Sequence, residues 1–314
     1  MTFCICAAVI ACLSSAAWAQ SYPTKPVRMI TSEPGGTNDI TARLLAPGLS
    51  ASLGQQVLID NRPAGVIPGQ IVSKAAPDGH TLLVTTSLVW ILPLIQNAPF
   101  DPAQDFAPVM LIASTPSVLV THPSLPVKTV RELIALAKSR PGDLNYASGA
   151  TGSGSHLAGE LFKSMTGVNI VRVPYKGAGP AILGLLSGQV HFMFATTTSS
   201  QPHIAAQRLK PLAVTSARRS ALFPELLPVA ESGVSGYEAA TPIVLFAPAT
   251  TPSAIVNRLN AEIAQLLKQN ELRTRFLASG LEVVASSPAE LTAFMKADSA
   301  RMSKVIKSAG IRAE

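Results

Sequence analysis

Cysteine is almost absent from this chain. Its three cysteines, Cys4, Cys6 and Cys12, all lie within the first twelve of 314 residues. The rest of the chain therefore offers no disulfide, no thiol nucleophile and no cysteine metal site. Charged residues are also scarce at 14%, and the net charge of +7 is scattered, with no grouping larger than pairs such as Arg218-Arg219. This pattern argues against nucleic-acid binding and favours small anionic ligands.

The motifs of common enzyme classes are missing as well. No G-x-G-x-x-G follows a predicted strand, and neither G-x-S-x-G nor H-E-x-x-H occurs. The stretch GATGSGSH at 149–156 lacks the lysine of a P-loop. The five histidines are isolated, and ordering of its own loop is the simplest role for His156. We expect a binding protein with no catalytic residues, metal or cofactor, and a secreted Ser/His hydrolase is the least favoured alternative.

Long apolar runs are confined to the amino terminus. Residues 3–17 are apolar or small and residues 17–19 read A-W-A, which predicts a signal peptide at 1–19 cleaved after Ala19. Cleavage and lipidation at Cys12 is a less favoured alternative. The longest later run, 82–95, has 14 residues and contains a proline, against about 20 residues for a membrane span. We expect an exported protein of the periplasm.

Short apolar runs alternate with segments of helical period. Nine runs predict buried strands, at 27–31, 56–60, 81–87, 118–121, 144–148, 169–174, 190–196, 209–216 and 242–248. Capping boxes that begin at Thr129 and Ser287, and the pair Thr251-Pro252, mark helix starts. The alternation predicts an α/β fold with mostly parallel sheets.

The length predicts two lobes, because about 295 mature residues exceed a single ordinary core. The extended, proline-bounded stretches 114–124 and 241–252 are the predicted crossover strands between them. We assign residues 20–118 and 242–314 to lobe 1 and residues 119–241 to lobe 2. Ligands of open α/β sheets bind at the carboxyl ends of the strands, so we expect a ligand in the cleft between the lobes.

Three glycine-rich polar turns each join a predicted strand to a predicted helix, within 34–39, 146–160 and 173–186. A helix N-terminus carries unpaired N–H groups and a partial positive charge, and glycine lets an anion approach them closely. The predicted ligand contacts are Pro34, Gly35, Gly36, Thr37, Asn38, Asp39, Ser87, Ser148, Gly149, Thr151, Gly152, Ser153, His156, Tyr175, Ala195, Thr196 and Thr197. For each turn the alternative is an ordinary loop and helix cap. Asp39 is more simply an acid that complements the helix dipole, and Tyr175 is equally well a half-buried aromatic.

Five short motifs occur in a familiar order: NRP at 61–63, AAPDG at 75–79, NYAS at 145–148, HLAGE at 156–160 and VPYKG at 173–177. With them the whole mature chain resembles the Bug family, the substrate-binding proteins of tripartite tricarboxylate transporters. The resemblance implies a two-lobed periplasmic-binding-protein (Venus-flytrap) fold. It also implies a small carboxylate ligand, held by amides, hydroxyls and waters of the 34–39 and 148–156 turns.

The resemblance further implies two membrane subunits of a transporter as partners, although many members of the family have no dedicated transporter. A ligand sensor that docks onto a receptor ectodomain stays an alternative. We expect a monomer.

The chain departs from the family pattern at four places. Glu33 stands where the family has proline, the 64–69 loop is shorter than usual, and Ala195 replaces a common aspartate. We expect Glu33 to shift ligand preference toward a group that carries a hydroxyl or a cation. Pro47-Gly48 falls inside the first predicted helix, where proline costs about 3 kcal/mol unless the helix ends or kinks.

Overall fold

The computed structural model describes residues 22–63, 65–149 and 151–312. The predicted signal peptide lies outside these residues. In chain order the elements are β1 Val27–Thr31, α1 Thr37–Leu53, β2 Val57–Asn61, α2 Ile67–Ser73, β3 Thr81–Thr86, α3 Leu88–Ile95, β4 Phe106–Thr115, β5 Ser117–Thr121, α4 Val130–Ser139, β6 Asn145–Ser148, α5 Gly154–Thr166, β7 Val171–Pro174, α6 Ala178–Leu186, β8 Phe192–Thr196, α7 Thr197–Ala205, β9 Lys210–Val214, β10 Thr241–Pro248, α8 Ser253–Leu266, α9 Asn270–Ala278, β11 Glu282–Val283 and α10 Pro288–Ala309. Among these helices none combines the length and hydrophobicity of a membrane span.

The strands form two sheets, ordered β11-β4-β10-β3-β1-β2 and β7-β6-β8-β5-β9. The chain passes from the first sheet to the second between Thr115 and Ser117, and it returns between Val214 and Thr241. The predicted α/β architecture with two crossovers is therefore confirmed. The lobe boundaries at 118/119 and 241/242 stay a prediction, with lobe 1 built on the first sheet and lobe 2 on the second.

The predicted preponderance of parallel pairing is wrong. β1 is parallel to β2 and β3, and β6 is parallel to β7 and β8. β10 runs antiparallel to β3 and β4, and β5 runs antiparallel to β8 and β9. β5 and β10 are the strands that follow a crossing. Each enters its sheet at the edge where the parallel strands end, so it runs the other way. The two-residue β11 is also antiparallel to its neighbour β4.

The carboxyl edges of the two sheets face each other. In lobe 1, β3 ends beside the start of β10, with Thr86 opposite Ile243. In lobe 2, β8 ends at Thr196 opposite Ser117, the first residue of β5. Only Pro116 separates β4 from β5. The edge of one sheet therefore leads directly into the edge of the other across a short gap, called here the interlobe gap.

All nine predicted strand regions contain a strand, but β4 and the two-residue β11 were missed. β4 carries Pro108, and its register against β10 shifts twice. A proline and two irregular steps remove the regular alternation by which a strand is recognised in sequence. Pairing with β10, from the far end of the chain, forms this strand.

Helix α1 runs through Pro47 and continues to Leu53, so the helix does not end at this proline. The adjacent Gly48 lies against α8, where a Cβ would stand only 2.7 Å from Cδ2 of Leu266. Close packing of α1 on α8 therefore depends on Gly48, and this tertiary contact offsets the backbone hydrogen bond that Pro47 cannot make.

The two lobes also pack together behind the gap. The capping box at Ser287 is confirmed and begins α10, which packs on α3 of lobe 1 and α5 of lobe 2. Within lobe 1 the Trp90 indole of α3 donates to Asp298 Oδ2 of α10 at 2.8 Å, and within lobe 2 the Tyr237 hydroxyl donates to the Ala158 carbonyl of α5 at 2.9 Å. One buried apolar cluster includes residues of both lobes. α10 thus anchors α5, whose N-terminus opens on the gap.

Gly159 lets α5 lie directly on its sheet. A Cβ at this position would stand 2.3 Å from Cε2 of Tyr146. That ring is fully buried, and its hydroxyl donates to Glu160 Oε1 at 2.8 Å. The ring therefore has no free direction in which to move.

Gly159→Ala should lower the free energy of unfolding by up to about 2 kcal/mol, because overpacking costs about 1–3 kcal/mol against a gain of about 1 kcal/mol in helix propensity. Urea unfolding followed by circular dichroism measures the change. Gly179→Ala in α6 is the matched control, because a Cβ there would meet nothing within 4 Å beyond its own helix backbone and chain neighbours. Equal effects of the two changes would contradict this account of Gly159.

Candidate functional site

The 34–39 turn is held by Asp39, which is only 2% exposed. Its Oδ2 accepts hydrogen bonds from the Gly35 amide and Arg43 Nε, both at 2.9 Å, and its Oδ1 accepts from Asn61 Nδ2 at 2.8 Å. Burial acts to raise the pKa of Asp39, but the bonds from Arg43, Gly35 and Asn61 outweigh it and hold the pKa below its usual value. Both carboxylate oxygens are thus engaged in joining the turn to α1 and β2.

The turn presents the start of α1 to the interlobe gap. Its N-cap, Gly36, provides no side-chain hydrogen bond. Within the described part of the chain, the N–H groups of Thr37, Asn38 and Asp39 donate to no protein acceptor. Gly35 has a φ of 79°, which glycine adopts without strain. Pro34, Gly35 and Thr37 are exposed, so these three predicted contacts are accessible at the turn.

Asn38 acts differently from the prediction, because its side chain is buried. Its Nδ2 donates to Ser32 Oγ at 3.2 Å, which braces the turn from inside. Among the described residues, Asn38 Oδ1 and Thr31 Oγ1 are buried without a hydrogen-bond partner. Asn38 therefore offers its backbone amide, rather than its side-chain amide, to the gap.

The 148–156 turn is organised by Arg172, which the sequence analysis missed. Arg172 Nε donates to Ser148 Oγ at 2.7 Å, Nη2 to the Gly149 carbonyl at 3.0 Å and Nη1 to Thr151 Oγ1 at 3.3 Å. The parallel register sets Tyr146 of β6 opposite Arg172 of β7, so Arg172 shares the α5 face of the sheet. In the sequence, the single arginine inside the apolar strand segment NIVRVP is the feature that could have indicated this role.

His156 orders the same turn from the other side. Its Nδ1 accepts the Gly152 amide at 3.1 Å, so this nitrogen carries no proton. Burial, aided by the charges of Arg172 and Lys163 and opposed by Glu160, lowers the pKa of His156 to about 4. No hydrogen bond joins its ring to a serine within the described residues, whereas its backbone amide donates to Ser153 Oγ, the N-cap of α5.

Several predicted donors of this turn are already used within it. The Gly149 amide donates to Ser155 Oγ at 2.9 Å, and the Gly152 amide is held by His156. Ser148 is fully buried. Among the described residues the first two amides of α5 have no protein acceptor. The hydroxyls of Thr151 and Ser153 accept hydrogen bonds from Arg172 and the His156 amide, and each still has a proton to donate.

Lobe 1 meets this turn directly. Ser87, which precedes α3, lines a cavity of about 40 Å³ together with Gly154 and Thr241. A Cβ on Gly152 would stand 2.9 Å from Ile95 Cδ1 in α3. In the described part of the chain, no hydrogen bond joins the 34–39 turn to the 148–156 turn. The 34–39 turn follows β1, which neighbours β3 at about 4.8 Å, and so it opens on the same gap.

Two predicted wall residues point elsewhere. Tyr175 packs against α6, where a Cβ on Gly184 would stand 2.2 Å from its hydroxyl oxygen, and it lines a groove with Arg208 on the flank of lobe 2. Ala195 is fully buried in the apolar cluster beneath α6. Their prediction as wall residues is therefore wrong in this structure, because alternation along β8 and the absence of a side chain at Gly184 direct them into the lobe.

The last two predicted contacts flank the crossing. Thr196 is exposed at the start of α7, and its Oγ1 lies 2.8 Å from Ser199 Oγ. Thr197 is buried and donates from Oγ1 to the Pro116 carbonyl at 2.8 Å. Thr197 thus fixes the crossing strand, while Thr196 lies at the rim of the gap.

Two sheets joined by two crossings, with helix N-termini that open on the gap between them, define a two-lobed periplasmic solute-binding protein. A model of one such family, described as the tripartite tricarboxylate transporter family receptor, matches residues 41–311. The chain belongs to this family, and the resemblance to Bug proteins is confirmed. Receptors of this family are periplasmic and work with transporter components; its characterised relatives are receptors rather than enzymes.

Similar proteins span nearly the whole chain. Protein BugT of Bordetella pertussis is 36% identical over 300 residues, which cover 94% of this chain and 92% of BugT. The structure of R. palustris Rpa4515 with adipate is 39% identical, with a TM-score of 0.77 and coverage of 93% and 99%. MatC from Rhodopseudomonas palustris with bound malate is 29% identical, with a TM-score of 0.72 and coverage of 91% and 100%.

Asp39→Ala should lower the free energy of unfolding by about 2–3 kcal/mol, because the Gly35 amide and two side-chain donors lose a largely buried, charged acceptor. Chemical denaturation measures the loss. Asp143→Ala is the control, since Asp143 is exposed and makes no ion pair among the described residues; its effect should stay within about 0.5 kcal/mol. Asp39→Ala with full stability would show that the turn does not depend on this carboxylate.

Stability should fall in acid partly through His156. Its pKa is lowered from 6.5 to about 4 on folding, so the unfolded chain binds the proton first as the pH drops. The contribution is complete above about pH 6.5 and is lost by about pH 4, and it amounts to about 2 kcal/mol after a discount for solvent screening. His156→Asn retains an acceptor for Gly152 without this titration, so its unfolding free energy should change less between these two pH values. Parallel pH curves for the two proteins would refute the role of His156.

Proposed function

We propose that this protein is an exported receptor that binds a small carboxylate in the interlobe gap and presents it to the membrane subunits of a tripartite tricarboxylate-type transporter. The single observation that carries the proposal is the placement of two helix N-termini, those of α1 and α5. They open from facing edges of the two sheets, and the first three amides of α1 and the first two of α5 have no protein acceptor among the described residues. Such amides, with the helix dipoles behind them, suit a carboxylate oxygen.

The ligand contacts that we propose are divided between the lobes. Lobe 1 offers Gly35, Gly36 and Thr37 with the first amides of α1. Lobe 2 offers Thr151 and Ser153 with the first two amides of α5. Two relatives support a carboxylate ligand, because R. palustris Rpa4515 holds adipate and MatC holds malate.

A second group of residues supports the site without contact to the ligand in our proposal. Asp39 holds the first turn, and Ser148 and His156 hold the second through the hydrogen bonds described above. Ser87 and Thr196 stand at the rim. Because the His156 ring is committed to the Gly152 amide, we favour binding over a hydrolytic role for it.

The proposed mechanism is a shift of population between open and closed lobes. A ligand that contacts both lobes at once binds the closed form more tightly and so raises its population. The closed form is the one that the membrane subunits would recognise. The receptor acts as a monomer, and cleavage after Ala19 accompanies its export.

A thermal-shift screen of carboxylates, including malate, succinate, adipate and citrate, tests the proposal. A carboxylate at 100 times its Kd should add about 2.7 kcal/mol to the free energy of unfolding, a rise of several degrees in Tm. Isothermal titration should then give one site per chain. Failure of the whole panel to raise Tm would count against the proposed function.

Thr37→Glu gives the matched site variant. A carboxylate at the first position of α1 suits the helix dipole, so the fold should hold, but it occupies the proposed seat and repels the ligand. We expect affinity to fall at least about tenfold, which corresponds to about 1.4 kcal/mol. Ser253→Glu places the same charge at the first position of α8, which follows the opposite end of β10, and it should leave affinity unchanged. Equal affinities of the two variants would remove the α1 terminus from the site.

A further inference from the structure

Arg172 of β7 contacts the 148–156 turn of lobe 2. Its three hydrogen bonds to Ser148, Gly149 and Thr151 span the whole approach to α5. A guanidinium has five N–H donors, and these bonds use three of them. Two donors of Arg172 are therefore left at a turn whose neighbouring helix amides also lack acceptors among the described residues.

The charge of Arg172 is not compensated in this part of the chain. No carboxylate of the described residues lies within 4.0 Å of its guanidinium. The nearby Glu160 is engaged by the Tyr146 hydroxyl at 2.8 Å and by Lys163 at 2.9 Å. The half-buried cation thus stands beside the positive end of α5, an arrangement that is unfavourable until an anion arrives.

The turn of lobe 1 differs in this respect. There the charges of Asp39 and Arg43 cancel in an ion pair of 2.9 Å. The two turns present similar backbone amides, but only the turn of lobe 2 adds a fixed cation. The charge of Arg172 should therefore make the turn of lobe 2 bind an anion more strongly than the turn of lobe 1 does.

We propose that Arg172 is a specificity-determining residue that makes the lobe 2 turn the primary carboxylate seat, by fixing the turn and by supplying its positive charge. This rests on the proposed function and goes beyond it, because it assigns the carboxylate to one lobe. Two effects are combined: the fork of hydrogen bonds sets the geometry of the turn, and the charge draws in the anion.

Three variants separate charge from geometry. Arg172→Gln removes the charge, and Arg172→Lys keeps the charge but loses the planar fork. Arg208→Gln removes one positive charge from the same lobe at an exposed position before β9, at the far end of the sheet. Circular dichroism and urea unfolding confirm that each variant is folded before binding is measured.

Binding of malate, succinate and adipate is measured by isothermal titration at about 20 mM and about 200 mM NaCl. We expect Arg172→Gln to weaken binding about tenfold or more and to flatten its dependence on salt. Arg172→Lys should retain the salt dependence and recover part of the affinity. Arg208→Gln should match the wild-type protein in both.

The opposing results are distinct. Wild-type affinity in Arg172→Gln would overturn the inference and leave the proposed function standing. A second result would also overturn the inference: Arg172→Gln binds more weakly but with the wild-type dependence on salt, and Arg172→Lys recovers none of the affinity. Arg172 would then only hold the turn in place and would contribute no charge to binding. A wild-type protein that binds none of the three acids would overturn the proposed function and this inference together.

Discussion

The proposed site depends on charged or polar side chains that fix the turns before α1 and α5, so that the first amides of these helices have no protein acceptor among the described residues. Asp39 gathers an amide and two side chains in lobe 1, and Arg172 and His156 do the same in lobe 2. These side chains tie each turn to the strands and helices around it, which holds the backbone of the turn in place. The first N–H groups of α1 and α5 cannot be reached by those side chains and remain directed to the gap.

The crossings bring the two turns of the proposed site to the same gap. Because a single residue, Pro116, links β4 to β5, the chain leaves one sheet and enters the other at the same edge. Thr197 reinforces this point through its bond to the Pro116 carbonyl. α10 then packs on both lobes behind the gap, so the edges stay opposed while the front is open to a ligand.

At several places tertiary packing produces a structure that differs from the one that the local sequence predicts. α1 continues past Pro47 because Gly48 admits close contact with α8, and β4 exists because β10 pairs with it despite Pro108. Tyr175 turned away from the gap because Gly184 left room for its ring beneath α6. For α1 and β4 the deciding contact comes from a partner remote in sequence, and no local pattern contains that information. For Tyr175 the contact comes from the helix that follows it, α6.

The amino-acid sequence alone determined the α/β class, nearly every strand, the marked helix starts and the turns that carry the site, because periodicity, capping and glycine act over a few residues. The tertiary structure decided which side chains face the gap. Asp39 and Ser148 became supports, Ala195 was buried, and Arg172 emerged as an unpaired charge among the described residues. Side-chain direction and charge compensation depend on the register between β6 and β7 and on lobe contacts, which arise only when distant segments pack.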